Sequence, residues 1–196
     1  MKIVLLLFSQ FETLDAFGPA EVLGRLPGCQ IVCASVQGGI CRSAQGVPVM
    51  TVPLSEAEGE VLLLPGGMGT RPLAEDQNFL DILARQGAKA QYCLSVCTGS
   101  ALLARCGLLD GRRATSNKKS FAWVRKQGEN VCWQPAARWV EDGKFFTSSG
   151  ISAGTDMALG FVARLYGRQQ ALAIAKDMEY LWNEDPHRDQ IGRAHV

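Results

Sequence analysis

Two short runs restrict this chain more than any other feature. KIVLLLF at residues 2–8 and VLLL at residues 61–64 are continuously apolar, without the alternation of a strand that keeps one face in water. Strands covered on both faces belong to a parallel sheet between helical layers. The first is followed by polar groups between Ser9 and Asp15, the second by the glycine-rich PGGMG at residues 65–69. Residues 31–36 and 91–96 read as further strands, and residues 138–140 and 144–147 as later extended pieces. Residues 40–42 and 47–51 suit a small ribbon turned through Gly46. Helical spacing covers residues 79–86, 98–106, 155–166 and 170–182, and a short helix is expected to open near Pro19, with Val22 and Leu23 on its apolar side.

No linker or repeat divides the chain, so one α/β domain is expected over residues 1–185. Pro186 ends the last helical pattern and leaves a polar tail over residues 186–196. With 196 residues, 47% of them apolar, there is material for one continuous core. Twenty basic residues against nineteen acidic ones give a net charge of +1, which offers no general attraction to nucleic acid or to an anionic membrane. No run of about 18 apolar residues marks a membrane span. The expectation is a soluble, cytoplasmic protein.

Seven cysteines, an odd number in a chain large enough to fold without staples, suit a reducing compartment better than a disulfide framework. None is spaced as CxxC, so metal ligation is not suggested. The only histidines, His187 and His195, lie in the tail. Catalysis by a Ser-His-Asp or Cys-His set would need that tail, or a partner chain, to reach the main site.

In a parallel sheet, polar residues beyond the strand C-termini converge. Three stretches meet that description: Glu12 to Asp15, Gly66 to Gly69, and Cys97 with Thr98. A cysteine at a strand-to-helix junction is exposed by the turn and favoured as thiolate by the positive helix end, which makes Cys97 the leading nucleophile; the alternative is a small buried apolar residue. Thr98 either donates a hydrogen bond or simply opens the helix. The glycines of PGGMG either aim amides at developing negative charge or only make a tight turn. Their pattern lacks the GK[ST] of a phosphate loop and does not match GxGxxG. Asp15 is a helix cap, a surface residue or a proton-transfer group, and beside a thiolate it must be protonated to donate a hydrogen bond. Lys118 and Lys119 read as solvated surface or as a frame for a small acidic ligand. Thr155 and Asp156 read as helix caps, and the four tryptophans as core or interface residues.

Five segments together resemble the ThiJ/PfpI superfamily, in particular its isonitrile hydratase-like branch: FETLDAFGPAEVL at 11–23, PGGMG at 65–69, SVCTGS at 95–100, GLLDGRRAT at 107–115 and GISAGTD at 150–156. The likeness spans about Lys2 to Trp182. It implies a flavodoxin-like three-layer α/β sandwich with a mostly parallel sheet and a cysteine nucleophile elbow, commonly a homodimer. It also implies a small-molecule substrate and no metal or organic cofactor. Asp15 matches the branch's acidic residue, Cys97 its nucleophile and Thr98 its adjacent threonine. Gly67, with Met68, Asn117 and Gly150, falls at positions expected to bind substrate or stabilise an anion. The implied reaction is hydration of an isonitrile to an N-substituted formamide, with Cys97 attacking the terminal carbon, Asp15 moving protons and water replacing the sulfur.

Two departures touch the substrate. Where that branch continues from AlaThr into ThrHisTrp, this chain has ATSNKK at 114–119, and a glycine-rich approach to the late motif is replaced by SSG at 148–150. The protease-like branch often carries histidine after its cysteine, where Thr98 stands here. Two other functions remain open: a non-enzymatic small-molecule or redox sensor, and a cysteine-dependent enzyme detoxifying reactive carbonyls.

Overall fold

The computed structural model describes residues 1–189 and 191. His195 therefore lies outside the described residues. The chain forms β1 (Lys2–Leu6), α1 (Thr13–Gly24), β2 (Gln30–Ser35), β3 (Gly39–Arg42), β4 (Pro48–Pro53), β5 (Val61–Leu64), α2 (Thr70–Leu73) and α3 (Gln77–Lys89). It continues through β6 (Tyr92–Val96), α4 (Gly99–Arg105), β7 (Arg113–Ala114), α5 (Phe121–Arg125), β8 (Cys132–Trp133), β9 (Trp139–Asp142), β10 (Phe145–Ser148), α6 (Ala153–Tyr166) and α7 (Arg168–Asp177).

The continuously apolar strands lie where their composition requires. In the eight-stranded sheet, ordered β3-β4-β2-β1-β5-β6-β10-β9, β1 pairs in parallel with both β2 and β5. β6 is parallel to β5 and to β10. The parallel strands β2-β1-β5-β6-β10 thus follow the flavodoxin-like order 2-1-3-4-5, with the reversal of winding between β1 and β5. Only the outer strands run antiparallel, β3 against β4 with Ile40 opposite Met50, and β9 against β10. Helices α1, α6 and α7 pack together on one face, and α2, α3, α4 and α5 on the other. Ile3, Leu5, Leu6, Leu63 and Leu64 are wholly buried between them.

Helix boundaries differ from expectation where distant residues intervene. Helix α1 opens at Thr13, not near Pro19, because Gln45 accepts both the Thr13 amide (3.1 Å) and its hydroxyl (2.6 Å), a cap from 32 residues away. Pro19 consequently sits inside the helix. Helix α7 ends at Asp177, short of Trp182, because Asp156 draws the following chain away. It accepts the Tyr180 hydroxyl and the Asn183 amide through Oδ1, and its carbonyl accepts the Trp182 indole N–H. Asp156 is therefore no helix cap; its Oδ2 receives Arg138 at 2.6 and 2.8 Å. Lys118 is likewise not surface: it is buried, with Nζ donating to Thr115 Oγ1 and to the Ala137 carbonyl.

Candidate active site at the cysteine elbow

The site lies over the C-terminal ends of β1, β5 and β6, beside the point where the winding reverses. Strand β6 stops at Val96, and Cys97 turns the chain with φ of 56°, a left-handed conformation that strains any residue bearing a Cβ. Several contacts hold the turn. The Cys97 amide donates to the Ser148 carbonyl at the end of β10, and the Cys97 carbonyl accepts the hydroxyls of Ser116 (2.7 Å) and Ser100 (3.1 Å). Gly99 follows because a Cβ there would stand 2.7 Å from the Leu64 carbonyl and 2.8 Å from that of Pro65.

Asp15 enters from the first turn of α1 and is fully buried. The loop after β1 clasps the loop after β5: the Gly66 amide donates to Asp15 Oδ2 at 3.0 Å, and the Glu12 amide donates to the Gly66 carbonyl at 2.9 Å. Asp15 Oδ1 has no hydrogen-bond partner among the described residues. Burial raises the Asp15 carboxyl to about 8, against the opposing pull of the Gly66 amide; the charge of Glu12 adds to the rise, and the Cys97 thiol offsets part of it. The Cys97 thiol is pushed well above its usual range, by burial first and by Asp15 second. The Thr98 amide and the Asn117 side chain act the other way, favouring thiolate. At neutral pH the pair is therefore a carboxylic acid beside a thiol, and ionising either one opposes ionisation of the other.

The remaining expected residues surround this pair. Thr98 is buried; its hydroxyl accepts the Gly67 amide at 3.0 Å and lies 3.1 Å from the Thr70 hydroxyl. The amides of Gly66 and Gly67 are thus engaged by Asp15 and Thr98. Gly67 adopts φ of 121°, and a Cβ there would collide with the backbone of residues 10–12. Gly150 leaves room for the sulfur, since its Cβ would stand 2.7 Å from Cys97 Sγ and 2.5 Å from Asn117 Nδ2. Asn117 Oδ1 accepts the Ser120 amide at 2.9 Å, which directs its NH2 group at Cys97. Met68 is 62% exposed, at the rim. His187 is exposed and lines a separate cleft with Arg113 and Asp142.

Three neighbours were not anticipated from the sequence. Thr70 and Ser116 brace the elbow, and Arg71 of α2 reaches Ser120 Oγ at 3.0 Å while lying 3.9 Å above the Trp123 ring. The available sign was Arg71's position two residues beyond PGGMG, but its reach across to residues 120–123 has no local signature. Among the described residues, no group of three or more His, Cys, Asp or Glu converges to hold a metal ion. No described helix is long and apolar enough to cross a membrane.

A doubly wound α/β sandwich with a strained cysteine elbow beside a buried carboxylic acid defines a class of protein. Within it, the chain belongs to the DJ-1/PfpI family, whose model matches residues 1–164. It is 36% identical over 184 residues to the isonitrile hydratase of Pseudomonas putida, covering 92% of this chain and 78% of that protein. It is 32% identical over 133 residues to the HTH-type transcriptional regulator GbdR of Pseudomonas aeruginosa, covering 66% of this chain and 35% of that one. Among solved structures it resembles a ThiJ/PfpI family protein from Pseudomonas syringae, with a TM-score of 0.84 and 30% identity over 98% of this chain and 80% of that chain.

Proposed function

We propose that this protein is a hydratase that converts an isonitrile to an N-substituted formamide through an intermediate linked to Cys97. The observation that carries the reading is the pairing of a buried thiol with a carboxyl held at about 8, an acid available at neutral pH. An isonitrile is basic at its terminal carbon. Asp15 gives its proton to that carbon, and the sulfur of Cys97 bonds to the same carbon while its proton passes to the Asp15 carboxylate. The result is a thioimidate, R–N=CH–S–Cys97, with Asp15 protonated again. Water then adds to the carbon, the nitrogen takes a proton by way of Asp15, and the C–S bond breaks to release R–NH–CHO and the thiol. Each turnover consumes one isonitrile and one water, and no electrons are exchanged.

In this scheme Asp15 Oδ1, the oxygen without a protein partner, handles the proton. The Thr98 amide and Asn117 steady charge on sulfur, and Thr98 orients the elbow. Gly67 and Gly150 wall the substrate space, with Met68 at its rim. The likeness to a hydratase over 92% of the chain supports the substrate class. We further propose that the protein works in the cytoplasm as a homodimer, an assembly that sedimentation would report as twice the chain mass.

The test is time-resolved mass spectrometry of wild type, Cys97→Ala and Asp15→Asn with a panel of small isonitriles, following formamide and covalent adducts. Repeated turnover in the wild type, background rates in Cys97→Ala and a loss of about 100-fold or more in Asp15→Asn are expected. Folded wild-type protein that forms no formamide with any of the panel overturns the reading. The similarity to GbdR would then favour a small-molecule sensor.

A further inference from the structure

We propose that Arg71 is a specificity residue of this site and selects small electrophiles that carry a carboxylate. The proposal rests on Cys97 being the reacting thiol. Arg71 is half-buried, yet no Asp or Glu among the described residues forms an ion pair with it; the described arginine pairs involve residues 25, 105, 112, 113, 138, 164 and 168. Its partners are neutral: Ser120 Oγ at 3.0 Å, Thr70 Oγ1 at 3.3 Å and the face of Trp123. A guanidinium drawn partly out of water without a counter-charge is costly, and an anion beside it relieves that cost.

Both hydroxyl partners lead to the sulfur. Thr70 meets the hydroxyl of Thr98, the residue after Cys97, while the Ser120 amide holds the Asn117 side chain that faces the thiol. The guanidinium thus ties together the two loops that flank Cys97. Burial works against its charge. Stacking on the indole limits the rotamers of the fork, so little freedom is lost when it binds. The nearby Lys118 is committed to Thr115 and Ala137. One planar cation suits a monoanionic carboxylate, which accepts two parallel N–H bonds, better than a phosphate dianion.

Two assays separate this proposal from the hydration reading. In the first, alkylation at Cys97 by iodoacetate and by iodoacetamide is followed by peptide mass spectrometry in wild type, Arg71→Gln and Arg71→Lys. The iodoacetate-to-iodoacetamide rate ratio should fall about tenfold or more in Arg71→Gln and less in Arg71→Lys. Propionate, but not propionamide, should protect wild-type Cys97 saturably, a measurement that needs no variant. In the second, paired isonitriles differing only as free acid and methyl ester are compared, and the preference for the acid should collapse in Arg71→Gln, mainly through KM. An unchanged ratio in folded Arg71→Gln, or equal protection by propionate and propionamide, overturns the proposal. An Arg71-dependent ratio with no turnover of either isonitrile leaves carboxylate selection standing and removes hydration.

Discussion

Burial keeps the Asp15 carboxyl protonated beside the Cys97 thiol, and that burial has a thermodynamic signature. The folded protein holds Asp15 at about 8, against an ordinary carboxyl value of 3.8. Between those values the folded state binds the proton that the unfolded state has released, so this group's contribution to stability is fully present below about pH 4 and is lost as pH rises through about 8. The slope is at most about 1.4 kcal/mol per pH unit. Asp15→Asn removes this term: its urea midpoint should exceed that of wild type by more at about pH 8 than at about pH 5. A difference independent of pH would show that Asp15 ionises normally. The strand exit at Cys97 and the acidic stretch at residues 12–15 could be read from the sequence. The protonation of Asp15 could not, because it follows from burial against Gly66, 51 residues along the chain, and against the elbow, which is farther still.

The helices and glycine turns show the same division. Apolar periodicity and the Asp76 cap, which accepts the Phe79 amide at 3.1 Å, place α3 close to where local reading puts it. The start of α1 depends on Gln45 and the end of α7 on Asp156, so neither boundary has a local cause. Gly99 belongs to the junction of three elements. An alanine there meets two backbone carbonyls of the β5 exit, which cannot move aside as a side chain could. Gly99→Ala should cost about 1–3 kcal/mol by urea denaturation and slow alkylation of Cys97, because relief of the clash displaces the elbow. Gly107→Ala, where φ is 79° and no atom lies within 4 Å, is strained by backbone alone and should leave the alkylation rate unchanged.

Across the whole chain, residues beyond α7 return to close the β9 end of the sheet. Pro186 accepts the Arg138 amide, and Asp189 is buried with its amide on the Ala136 carbonyl and its Oδ1 3.1 Å from Arg138. Arg138 thereby joins Asp156 of α6 to the chain's last described segment. Removing one member strands the others in a buried setting. Asp156→Ala should destabilise by about 3 kcal/mol or more, and Asp156→Asn by less because it keeps an acceptor. Comparable urea midpoints for wild type and Asp156→Ala would mean that water enters and solvates Arg138.

Continuous apolar runs were sufficient to set a parallel sheet between two helical layers, because a strand without a polar face has no other stable surroundings. Glycine and proline placement marked the loops after β5 and β6 for a similar reason: few other residues accept those backbone angles or close approaches. The chemistry depends on through-space quantities that have no period along the chain. Burial set the proton on Asp15, a hydrogen bond from Ser120 turned Asn117 toward the sulfur, and a stacked indole fixed Arg71 across the site. Electrostatic and steric interactions act over a few ångströms between segments distant in sequence, so these residues come together only when the sheet brings its strand ends together.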